Sequence, residues 1–119
     1  MIQLVGEGNW VQTMSEWVLA AQEEDLQENT RLVINAGEHS VLLLKRAGRI
    51  LAIENRCPHL GCTLARGKID GFIITCPCHD WQFDIRSGEF TAAPEITIPV
   101  YACKVLHDHI YILIDSTGA

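Results

Sequence analysis

Positive charge is scarce in this chain: nine Lys and Arg stand against fifteen Asp and Glu, a formal charge of -6 over 119 residues. So acidic a protein lacks the electrostatic footprint of a nucleic-acid or anionic-lipid binder. A basic protein patch suits it better as a partner, although acidic surfaces are also the most ordinary kind. Long apolar runs are missing too. No stretch approaches the roughly 18 to 20 consecutive apolar residues of a membrane span. The opening MIQLVGEGNW has neither the basic start nor the apolar core of a signal peptide, so the expectation is a soluble chain kept in the cytoplasm. Helical periodicity is nearly absent: QEEDLQENT (22–30) has no apolar face and reads as a loop or single turn. Ser15, Ser40, Ser87 and Ser116 stand in no nucleophile-elbow or triad context, which argues against hydrolytic chemistry. Repeats, low-complexity tracts and linkers are lacking as well, and the length suits a single domain over 1–119.

What is present is a series of short apolar bursts: WVLAA (17–21), RLVINA (31–36), SVLLLKR (40–46), ILAIEN (50–55), FIITC (72–76), ITIPVYACKV (96–105) and HIYILI (109–114). Turn formers bound each one, in NAGEHS, RAGR, KIDG, RSGE and STG. With apolar residues at 48% and charged residues at 20%, the pattern is that of an all-β fold, an antiparallel sandwich or small barrel. Gly61, Gly67, Gly71 and Gly88 are expected at turns needing positive φ.

Chemistry concentrates in CPHLGC (57–62) and CPCHDW (76–81). Each follows a strand-like run, and Pro58 and Pro77 lack the donor a ladder needs, so both stretches belong on loops. Cys57 and His59 form C-x-H; sixteen residues later Cys76 and His79 form C-x-x-H. Two loops, each delivering a soft and a borderline donor, can surround metal. Five cysteines in a reducing compartment also read more naturally as ligands than as a disulfide framework. Zinc is the first competitor, but a first pair of Cys and His and the missing helix speak against a zinc finger.

CPHLGC…CPCHDWQFD resembles the cluster-binding motif of the Rieske iron-sulfur protein family, most strongly over about 54–90. The resemblance implies one 2Fe-2S cluster, with Cys57 and Cys76 on one iron and His59 and His79 on the other. Cys62 and Cys78 occupy positions where high-potential Rieske proteins resemble this chain and carry a disulfide tying the loops. Those proteins have Ser and Tyr hydroxyls after the last histidine, whereas this chain has Asp80, Trp81 and Phe83, as in oxygenase-type domains and their ferredoxins. Without those donors, and with the carboxylate of Asp80 beside a ligand, the expected potential is intermediate to low. Pro94 resembles the proline of a third loop covering the cluster, and Trp81 is the one tryptophan placed to shield it. Trp10 and Trp17 read as packing residues, Cys103 as a core residue, and His39, His107 and His109 as surface or strand-end residues.

The implied function is a soluble, monomeric Rieske-type ferredoxin, a one-electron carrier and not an enzyme, with its redox partner docking at the His59/His79 end. Two rivals stay open. One is a tightly bound small subunit of an oxidoreductase, as in nitrite reductase or arsenite oxidase. The other is a zinc-stabilised binding module.

Overall fold

The computed structural model describes residues 15–58 and 61–115. Twelve strands follow one another: β1 (Ser15–Gln22), β2 (Arg31–Ala36), β3 (His39–Arg46), β4 (Arg49–Glu54), β5 (Lys68–Asp70), β6 (Ile73–Thr75), β7 (Gln82–Asp84), β8 (Glu89–Phe90), β9 (Ala93–Thr97), β10 (Val100–Tyr101), β11 (Cys103–Leu106) and β12 (His109–Asp115). The helical content of the described residues is two 3-10 turns, at Glu23–Asp25 and Leu64–Arg66, the first inside the acidic stretch read as a loop or turn. All pairings are antiparallel and form three sheets, ordered β1-β12-β11, β10-β4-β3-β2 and β5-β6-β7-β8-β9.

The run VLLL in β3 explains the layering. A strand alternates its side chains between two faces, yet Val41, Leu42, Leu43 and Leu44 are all 1% exposed or less. Both faces of the four-stranded sheet are therefore covered. Val41, Leu43 and Ala52 join Leu26, Ile110, Ile112 and Ile114 in one core, against the three-stranded sheet. Leu42, Leu44 and Ile53 join Leu64, Ile74, Phe83, Ile85 and Ile98 in the other, and Cys57 and Cys76 belong to that second core.

Several readings change in the structure. The run ITIPVYACKV is not one strand: Pro99 has no amide for a ladder, and the chain changes sheets there, β10 pairing with β4 and β11 with β12. Strands β5, β7 and β8 have three residues or fewer, too short for a detectable alternation. Trp17 is not a core residue. It is 40% exposed on the outer face of β1, with the Lys104 ammonium 4.3 Å from its ring. Trp10 lies outside the described residues.

Gly67 is also not a positive-φ residue, unlike Gly61, Gly71 and Gly88; its φ is -71°. Its role is close approach, since a Cβ there would collide with the Thr75 carbonyl oxygen. That contact lets the segment after β4 lie against the end of β6, next to Cys76.

On the side of the first core, Cys103 and Tyr101 make the fold sensitive to alkali. Burial raises the Cys103 thiol from about 9 to about 11. Burial also raises the Tyr101 phenol, whose hydroxyl donates to Glu54 Oε1 at 2.9 Å. Both groups are favoured protonated in the folded chain, so their contribution is complete below their ordinary values and is lost as pH rises toward the folded ones. Stability should hold steady from neutral pH to about 9 and then fall by roughly 1–3 kcal/mol toward pH 11. Urea unfolding across that range measures it, and Cys103→Ala should flatten the first part of the decline.

Candidate metal centre

Two loops of one design meet here. In the first, the Cys57 amide donates to the Cys62 carbonyl at 2.8 Å, and the Gly61 amide donates to the Cys57 carbonyl at 2.8 Å. In the second, the Cys76 amide donates to the Trp81 carbonyl at 2.7 Å, and the Asp80 amide donates to the Cys76 carbonyl at 3.0 Å. Each loop is thus closed by the backbone of its own leading cysteine, four and five residues on. The fourth residue after each cysteine is left-handed, Gly61 at φ 73° and Asp80 at φ 61°. A proline follows each cysteine and suits a segment with no ladder to join.

The closure puts Cys57 and Cys76 at equivalent places, each 1% exposed and in the same apolar core. The loops are joined by a disulfide between Cys62 and Cys78, with Cα atoms 6.5 Å apart. The sulfurs of Cys62, Cys76 and Cys78 lie within 4.8 Å of one another, and of these Cys76 is the one outside the bridge. His79 is exposed, its Nδ1 3.1 Å from the Cys78 carbonyl. His59 lies outside the described residues.

The first loop is held by a residue that the motif does not contain. Asn55, the one buried polar side chain among the described residues, accepts hydrogen bonds at Oδ1 from Thr63 Oγ1 (3.1 Å) and the Ala65 amide (2.9 Å). Its Nδ2 donates to Ser40 Oγ at 3.1 Å. Its own amide and carbonyl bond Ser40 and Leu64. Arg31 adds bonds to the carbonyls of Ala65 (2.9 Å) and Gly67 (2.7 Å). An asparagine ending an apolar strand just before the first cysteine was the available signal for this role. Nothing local marks Arg31, which acts across 34 residues.

The second loop is flanked by aromatics. Trp81 is half-buried and stacks on Phe90 with centroids 4.2 Å apart and planes 5° from parallel. Phe83 is fully buried beneath them. Asp80 is exposed at the loop tip. Pro94 is not on a loop: it is exposed, within β9 at the edge of the five-stranded sheet, an edge position that tolerates a missing donor. Cys103 is half-buried on β11 beside the other core, away from both loops. His39 and His109 begin strands and His107 lies in a turn.

The donor chemistry fits a thiolate-and-imidazole iron-sulfur site. Two buried sulfurs sit at matching positions in an apolar core, and an exposed histidine lies on the second loop.

Asn55→Ala should cost about 1–3 kcal/mol, because it removes the acceptor that Thr63 Oγ1 and the Ala65 amide share and leaves that amide only its longer bond to Thr63 Oγ1 at 3.3 Å; urea denaturation of the two proteins tests it. Asp80→Gly should raise stability by about 0.5 kcal/mol, since glycine adopts the left-handed backbone that its twin Gly61 already has. Differential melting measures that gain.

Residues 16–102 match the family model of the Rieske [2Fe-2S] domain. The chain is 34% identical over 92 residues to the ferredoxin component of an alkene monooxygenase system from Xanthobacter autotrophicus, covering 76% of this chain and 75% of that one. It is 28% identical over 101 residues to the ferredoxin component of a naphthalene 1,2-dioxygenase system from Pseudomonas putida, covering 84% and 95%. The solved ferredoxin of carbazole 1,9a-dioxygenase from Nocardioides aromaticivorans IC177 superposes with a TM-score of 0.73 at 25% identity, over 81% of this chain and 95% of that chain. With its motif loops, its all-β fold and these relatives, the chain belongs to the Rieske [2Fe-2S] domain family.

Proposed function

We propose that the chain is a one-electron carrier of the ferredoxin kind, a component of a larger redox system and not itself the catalyst. In this reading one cluster per chain is held by Cys57 and Cys76 on one iron and by His59 and His79 on the other. The observation that carries it is the duplicated loop, which buries a cysteine at the same position twice in one core. When bound, such a cluster accepts and returns a single electron.

The chain's own residues do the rest. Leu64, Ile74 and Phe83 keep water from the two cysteine sulfurs. The exposed His79 puts the imidazole side at the surface, where a partner can approach within electron-transfer distance. Trp81, stacked on Phe90, closes the flank of the second loop, and Pro94 lies on the strand that returns from Phe90. Trp81 and Phe83 have no hydroxyl to donate to sulfur, and Asp80 adds a carboxylate, so the potential is intermediate to low.

The partner is a larger oxidoreductase with a basic patch, meeting this acidic chain at the His59/His79 end. The relatives named as ferredoxin components of oxygenase systems support that class of partner. None of the described helices is long and apolar enough to cross a membrane, and we place the chain in the cytoplasm as a monomer.

Iron and acid-labile sulfide analysis, with electron paramagnetic resonance of the dithionite-reduced protein, is the test. The expected result is a brown protein with a [2Fe-2S] signal that Cys57→Ser and His79→Ala abolish and Cys103→Ser leaves intact. A colourless protein holding zinc would overturn the reading.

A further inference from the structure

The ligand set shares its space with a disulfide. Cys76 Sγ lies within 4.8 Å of both Cys62 Sγ and Cys78 Sγ, which are bonded to each other. A thiolate exchanges with a disulfide without any external oxidant. Sulfurs tethered this closely meet at an effective concentration that thiols in solution do not approach.

We infer that, in the chain without its cluster, Cys76 attacks Cys62 and the bridge moves onto a ligand. The Cys76 Sγ–Cys62 Sγ bond forms and the Cys62 Sγ–Cys78 Sγ bond breaks. The electron pair leaves on Cys78, which takes up the proton that Cys76 gives up. One thiol and one disulfide stand on each side of the step. Attack on Cys78 instead would join two cysteines separated only by Pro77, a small rigid ring whose strain disfavours it.

The exchange has a consequence for loading. It trades a buried thiol for an exposed one, since Cys76 is 1% accessible and Cys78 lies at the surface. It also removes one of the two thiolates from the proposed site. The rearranged chain cannot take a cluster until a thiol reductant reopens the bridge. A chain already loaded cannot rearrange, because its Cys76 sulfur is occupied. The bridge therefore makes loading depend on thiol redox state. This inference rests on the reading of Cys76 as a cluster ligand.

The test uses the full wild-type chain, stripped of iron by a chelator under argon, trapped in denaturant with N-ethylmaleimide and cut with trypsin. The disulfide-linked peptides are 57–66 and 69–86, and fragment ions locate the alkyl group. The expected result is alkylation on Cys78 in a substantial share of the stripped chain and on Cys76 in chain trapped directly from the loaded form. Reconstitution with ferrous iron and sulfide should then rise several-fold when dithiothreitol is present, and the Cys62→Ser/Cys78→Ser variant should load equally with and without it. Alkylation of the stripped chain on Cys76 and never on Cys78 would overturn the exchange, as would wild-type loading indifferent to dithiothreitol. If Cys76→Ser takes up iron and sulfide as wild type does, the ligand reading fails instead, while the peptide mapping still judges the exchange.

Discussion

Everything at the cysteine end follows from how each loop uses the backbone of its first cysteine. The amide of Cys57 reaches forward five residues and its carbonyl receives the amide four residues on; Cys76 does the same. With both backbone groups committed, the loop turns in one way and the cysteine side chain is left in the apolar core. A buried amide or carbonyl without a partner is costly, so the closure and the burial of sulfur support each other. The disulfide then ties one closed loop to the other.

The rest of the chain is arranged to hold those loops still. The doubly covered four-stranded sheet supplies the floor through Leu42, Leu44 and Ile53. Asn55, at the end of β4, turns the strand into the first loop by bonding both the strand behind it and the 3-10 turn ahead. Arg31 grips the same turn from β2, and the bare backbone of Gly67 lets it close on Thr75. A carrier that must accept and release an electron with little rearrangement gains from such rigidity. Within the two cysteine loops Asp80 stands apart, a charged residue in the left-handed conformation that glycine adopts in its twin.

Family membership and the bridge point in different directions, and both are built into these few residues. Trp81 and Phe83 give the second loop an aromatic flank that offers no hydroxyl, and the chain's relatives include ferredoxin components. Cys62 and Cys78 add a covalent clamp whose sulfurs lie beside Cys76. A clamp that stiffens the loops also places a reactive bond next to a thiol, and whether that bond stays where it is depends on what occupies the thiol.

The sequence alone determined the β-rich class, most strand positions and the two loops, because alternation, turn formers and prolines act over a few residues. It also marked the Cys and His pairs, since ligand spacing is local. It could not separate Pro94 on a strand from Pro94 on a loop, or assign Trp17 to the outside, because both depend on which sheet lies over which face. The layering on both sides of VLLL, the fan of bonds at Asn55, the reach of Arg31 and the matching closure of the two loops were decided by the tertiary structure. Each joins groups distant in sequence or depends on backbone dihedral angles, and neither leaves a local trace in residue order.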